Sequence, residues 1–252
     1  MKIQRFILLA VLSIFSASTA AARDKIGLTL SPQAIGIGTF FNGTTVTATG
    51  SVPADSQVVI RFTGDTAPVH MRQKARVGGV VWMNLDSVTF EKAPSVCIVS
   101  SAAGFNELET GGGEGLGLAG LRQSVRVKCE GNQKVDVFAE FLKMKKKEGL
   151  YREISGNISY GRPADGLKTF RALIPLPSRL KPGTYTVEAV AVQNGGIISR
   201  SRQKLVAELR GAPSVMAALA FDHPILYGAI ASFIAVIAGL GIGLVFQSKG
   251  AH

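Results

Sequence analysis

The stretch Thr44-Thr-Val-Thr-Ala-Thr-Gly-Ser-Val-Pro-Ala-Asp-Ser-Gln-Val-Val-Ile-Arg-Phe62 decides the fold. Its first six residues are β-branched or small and place Val46 and Ala48 on one side of an extended chain, the period-two pattern of a half-buried strand. Val58 to Phe62 is a second β-rich run, and Pro53-Ala-Asp55 between them is a turn signal. The same alternation of short strands and turns runs outward from Ile26 to Ser101, with further turns at Asn42-Gly43, Gly64-Asp65 and Gly78-Gly79. Met71 to Val77 and Val80 to Leu85 read as a hairpin around the last of these, with Trp82 as a sheet-packing ring. Turns this closely spaced predict antiparallel sheets rather than strand-helix-strand units.

Strands resume at Lys168 to Ile174, Gly183 to Val192 and Ile197 to Leu209, read as three antiparallel strands with turns at Pro182-Gly183 and Asn194-Gly-Gly196. Three strands alone cannot bury two faces, so they are expected to complete the first set. The fold class is therefore mainly β: an immunoglobulin-like antiparallel β-sandwich with a helical insertion over 102–166, plus one C-terminal transmembrane helix. The insertion holds a Gly-rich loop and an amphipathic helix over 132–148. Within the loop, read as mobile, Gly115, Gly117 and Gly120 spell a G-x-G-x-x-G that lacks the preceding strand a dinucleotide site requires. In the helix Val135, Phe138 and Leu142 form one apolar strip, Asn132 is the candidate N-cap, and the strip predicts packing onto the sandwich.

Both ends of the chain read as membrane-related. Lys2 and Arg5 precede an apolar run from Phe6 to Phe15, and Ala20-Ala21-Ala22 offers a cleavage site, so 1–22 reads as a signal peptide and 23–212 as the exported domain. Residues 224–246, Pro224 to Phe246, carry no charged side chain and are long enough to cross a bilayer. The segment 213–223 is expected along the membrane surface, and 247–252 forms a cytoplasmic tail whose Lys249 agrees with the positive-inside rule. Within the span Ala231, Ala235, Gly239 and Gly243 recur every four residues, a groove of small side chains that lets another helix approach closely.

The formal charge is +11; without Lys2, Arg5 and Lys249 the exported part carries 25 basic and 17 acidic residues, a net +8. In an exported compartment this excludes nucleic acid as the expected partner and favours anionic headgroups or envelope polymers. The run Lys143, Lys145, Lys146 and Lys147 serves either as the cationic end of its helix or as a headgroup contact. Cys97 and Cys129 stand 32 residues apart and are either a disulfide, worth about 3 to 4 kcal/mol, or two buried thiols. His70, His223 and His252 are scattered, and no Walker loop, G-x-S-x-G or C-x-x-C occurs. No catalytic residue, metal ligand or cofactor is therefore expected.

Phe40-Phe-Asn-Gly43, Val80-Val-Trp-Met-Asn84, Ala93-Pro-Ser95, Gly149-Leu-Tyr151, Leu176-Pro177, Pro182-Gly-Thr-Tyr185 and Pro224-Ile-Leu-Tyr-Gly228, in that order, resemble the Alph_Pro_TM family, bacterial chains grouped as transmembrane proteins. The resemblance spans nearly the whole chain beyond the leader and implies no catalytic residue. Cys97 stands where the family is expected to carry an aromatic residue, so the resemblance assigns the cysteines no role. Members are often encoded beside permeases of the sulfite-exporter type. This implies a non-enzymatic periplasmic accessory protein, single-pass in the bacterial inner membrane, associating with a polytopic transporter. The alternative from charge is a tethered module that binds an envelope polymer or anion.

Overall fold

The computed structural model describes residues 26–77, 81–105, 115–129 and 136–247. The readings of 1–22 as a signal peptide, of Gly78-Gly79 as a turn, of Asn132 as a cap and of 248–252 as a tail lie outside the described residues. The chain divides into two compact units, one of residues 26–35 and 42–206 and the other of residues 36–41 and 207–247.

The first unit is built from β-strands. β1 (Gly27–Ser31), β3 (Thr44–Pro53), β11 (Leu167–Leu176) and β10 (Ile158–Tyr160) form an antiparallel sheet in the order β1-β3-β11-β10. Its strands bury alternate residues, Val46, Ala48 and Val52 on β3 and Phe170, Ala172 and Ile174 on β11, as one-sided strands do. A second sheet runs β2 (Ala34–Ile37), β13 (Gly196–Leu209), β12 (Gly183–Gln193), β4 (Gln57–Thr63), β7 (Cys97–Ser101) and β9 (Tyr151–Ser155) in that order. β11 packs against β4 and β7, which joins the two sheets. The turn between β12 and β13 places Asn194 at φ 50° and Gly195 at φ 75°, the two left-handed positions that Asn-Gly supplies to a tight hairpin.

The central strands of the second sheet are buried on both faces. All five residues of β7 and the whole run Val187–Val192 are buried. This is why Val58-Val-Ile60 and Ala189-Val-Ala-Val192 read as continuous apolar runs rather than alternating ones. The outer face is covered by a third layer made of β5 (Thr66–Val77), β6 (Val81–Pro94) and β8 (Arg126–Cys129), in the order β5-β6-β8, together with the short α1 (Leu121–Ser124) and α2 (Val137–Lys147). Val59, Val99 and Val190 of the second sheet share one core with Phe90 of β6 and with Phe138 and Phe141 of α2. β5 and β6 form the expected hairpin, paired from Val77 opposite Val81 to Thr66 opposite Pro94 with register shifts between Arg72 and Lys74 and between Ala67 and Val69.

Several expectations need correction. The sheets are not wholly antiparallel: β9 runs parallel to β7, with Cys97 opposite Tyr151 and Ser101 opposite Ser155, so the chain from β7 through α2 to β9 is a strand-helix-strand crossover. Part of the segment 102–166 is therefore structural frame, because β9 and β10 lie within it and belong to the two main sheets. Of the three late strands, β11 joins the first sheet, whereas β12 and β13 join the second. α2 is described from Val137, and its cap is Asp136, whose carboxylate accepts from the Phe138 and Ala139 amides. Arg122 pairs with the same carboxylate and holds its pKa below the usual aspartate range.

Residues 115–120 of the Gly-rich stretch are packed rather than loose. Leu116 and Leu118 are fully buried in the third-layer core, and Leu121 follows them there. A Cβ on Gly120 would fall 1.8 Å from the Gly115 carbonyl oxygen, so these glycines permit a close backbone approach. That packing accounts for Gly115 and Gly120 of the G-x-G-x-x-G without a nucleotide.

The second unit contains α3 (Ala212–Asp222) and α4 (Pro224–Gln247). α3 has no charged residue before Asp222, and Val215, Met216 and Phe221 are exposed. Pro224 stands at the first position of α4, where its missing amide costs nothing. The Tyr227 amide then donates to the His223 carbonyl at 3.0 Å to start the helix.

Candidate functional site

Three groups of residues singled out by sequence can be placed, and one further group emerges from the fold. The span Pro224–Leu244 of α4 has 21 residues, about 31 Å of helix at 1.5 Å per residue, which matches the hydrocarbon thickness of a bilayer. None of the span is buried within the protein. Ala231, Ala235, Gly239 and Gly243 lie along one exposed side, and a Cβ on Gly239 or Gly243 would meet nothing within 4 Å. At about 100° per residue, Ile230, Ile237 and Leu244 occupy the opposite side and are likewise exposed. The helix thus presents a groove of small residues on one flank and bulky apolar side chains on the other, and hydrocarbon or another helix is the medium such a surface suits.

The two cysteines are both free. Cys97 lies in β7 between Thr63 of β4 and Tyr151 of β9, fully buried, whereas Cys129 ends β8 in another sheet and is exposed. Neither alternative weighed from sequence, a disulfide or two buried thiols, describes the pair: both cysteines are free and Cys129 is exposed. Burial drives the Cys97 thiol pKa up to about 11, with Arg61 opposing and Glu153 reinforcing the shift. At pH 8 about one Cys97 in a thousand is then thiolate, the reactive form. One thiol, Cys129, is expected to label rapidly in the native protein and the second only after denaturation. Mass spectrometry of alkylated peptides checks this, and rapid native labelling of Cys97 would contradict its burial.

The basic run divides. Lys143, Lys146 and Lys147 are exposed, but the Lys145 side chain is only 11% exposed, with Nζ 3.5 Å from the Glu148 carboxylate. Lys145 therefore stands apart from the outward-facing patch that the headgroup alternative requires, while its place in the last turn of α2 is the one the helix-end alternative requires. Its side chain instead lines a cleft of about 210 Å³ in the first unit, together with Arg179, Lys181 and Tyr185. Pro68, Val69, Val96 and Leu180 supply an apolar wall. The Tyr185 hydroxyl donates to the Lys181 carbonyl at 2.6 Å, and its ring stacks on Phe62 at 5.0 Å, so the turn carrying Arg179 and Lys181 is held from beneath. Sequence reasoning missed Arg179 and Lys181; the available signal was two cations in the short stretch between Pro177 and Pro182, a proline-bounded turn that fixes where they project. Among the described residues no three His, Cys, Asp or Glu side chains gather as a metal site would require.

A layered β unit followed by one helix long and apolar enough to span a bilayer defines a membrane-anchored, mainly β protein. The profile of the family described as "Putative transmembrane protein" (Alph_Pro_TM) matches residues 25–248, and the chain belongs to that family. No curated protein matches the chain.

Proposed function

We propose that the protein is a non-enzymatic accessory subunit, tethered by α4 in the bacterial inner membrane with its β unit on the periplasmic side, and docked on a polytopic membrane protein. A leader over 1–22 directs export in this reading, and a transporter of the sulfite-exporter type is the partner class that the family resemblance implies. The observation carrying the proposal is the uncovered stripe of Ala231, Ala235, Gly239 and Gly243 opposite a flank of large side chains. Close backbone approach along such a stripe gives helices in lipid a packing energy that uniformly bulky surfaces do not.

The test is extraction of the full-length protein in mild detergent, with mass spectrometry of what remains bound. A version ending at Gly211 and the double variant Gly239→Leu, Gly243→Leu serve as comparisons. A polytopic protein recovered with the full chain and reduced at least tenfold in both comparisons is expected. Equal recovery with the double variant would remove the stripe from the account.

A further inference from the structure

We propose that the cleft lined by Lys145, Arg179, Lys181 and Tyr185 is a binding site for a phosphomonoester with an apolar substituent. The inference does not depend on whether α4 has a protein partner, because every lining residue belongs to the first unit.

The cleft lining contains three cationic side chains and no acidic one. Arg179 and Lys181 are exposed and have no ion-pair or side-chain hydrogen-bond partner among the described residues, so their donors are free for a ligand. Lys145 differs: its side chain is almost enclosed, and its pairing with Glu148 is long at 3.5 Å. A lysine held at a cleft wall by so long a contact has donor capacity left over. Two carboxylates stand just outside the lining, Glu148 on Lys145 and Asp65 near Tyr185, and leave the cations in excess by one. The net attraction is therefore local and open to salt screening.

The choice of head group follows from the number and type of donors. Three separate cationic groups from α2 and the turn before β12 can each engage a different oxygen of a phosphoryl group, whereas a carboxylate offers two. Arg179 adds a planar fork suited to phosphate, and Lys145 and Lys181 act as point charges. The apolar wall of Val69, Val96 and Leu180 has no use for a bare inorganic ion and favours an organic ester. At about 210 Å³ the cleft is smaller than the ~300 Å³ at which drug-sized sites begin, so it accommodates a small ester or the terminal group of a larger molecule. A soluble phosphomonoester and the head group of a phosphatidic acid share this chemistry.

Titration calorimetry on the full-length protein in non-ionic detergent, with phenyl phosphate as probe, tests the assignment. Saturable binding to one site is expected, at least tenfold tighter than benzoate and weaker at about 500 mM than at about 50 mM salt. The double variant Arg179→Ala, Lys181→Ala changes only exposed side chains and should retain its thermal unfolding while losing at least tenfold in affinity. Absence of saturable binding, equal affinity for benzoate, or undiminished binding by the double variant would overturn the proposal. Repeating the titration in phosphatidylcholine nanodiscs with and without phosphatidic acid separates the two sources. Competition by the lipid assigns a membrane head group, and unchanged binding of phenyl phosphate assigns a soluble ester.

Discussion

Gly50→Ala is expected to destabilise the protein by about 3 kcal/mol or more, roughly 150-fold in the folding equilibrium and a large share of the stability of an ordinary domain. Gly50 sits in β3, the strand flanked on both sides in the first sheet, opposite Leu28 of β1 and Phe170 of β11. A Cβ there would lie 1.7 Å from the Gly27 carbonyl oxygen and 2.7 Å from the Phe170 ring. The ring is 2% exposed and has no room to turn away, and the oxygen belongs to the neighbouring strand's backbone, so it can move only by opening the β1–β3 ladder. Gly27→Ala is the matched comparison, because its Cβ would meet Ser51 Oγ at an ordinary 3.6 Å. That variant should cost well under about 1 kcal/mol. Chemical denaturation of both proteins reads the difference, and similar midpoints would mean that β1 does not pair with β3 in this register.

Phe141→Ala is expected to cost about 4 kcal/mol, roughly a thousandfold in the folding equilibrium. Phe141 is fully buried where α2 meets the second sheet, stacked on Phe90 at 4.4 Å and met edge-on by Tyr151 at 5.8 Å. Truncation would remove the ring that joins α2, β6 and β9, and the surrounding rings cannot all collapse into the space. Loss of amide protection should therefore begin in those three elements while the β3–β11 ladder persists. Phe141→Leu, which refills most of the volume, should recover much of the stability. A cost below about 1 kcal/mol for Phe141→Ala would show that α2 is not seated on the sheet.

Phe141 also marks the limit of what the sequence disclosed. The turn Asn194-Gly195, the hairpin of β5 and β6, the apolar strip of α2 and the uncharged length of α4 were legible because each is a local pattern with one physical cause. The third layer was less so. Val58-Val-Ile60 and Ala189 to Val192 signalled strands covered on both faces, but a reading of a two-layer sandwich has no place for the second cover. Glycine abundance over 111–120 suggested looseness, yet Leu116 and Leu118 needed close backbone passage between Gly115 and Gly120 to reach the core. The parallel β9 was hidden because Arg152 and Glu153 break its apolar character and its partner lies far back in the chain. For the same reason nothing local connects Lys145 with Arg179 and Lys181: only the packing of α2 beside the turn before β12 brings them to one cleft.

Membrane anchoring rests on the family and on the character of α4, whereas docking requires that one side of that helix meet a protein and the other lipid. The most direct measurement places a photo-crosslinking residue singly at Ala235, Gly239, Ile237 and Leu244 of the full-length protein in native membranes. A discrete protein adduct is expected from Ala235 and Gly239, and lipid adducts from Ile237 and Leu244. Protein adducts of equal yield from all four positions, or none from Ala235 and Gly239, would contradict docking through that side and leave α4 as a tether alone.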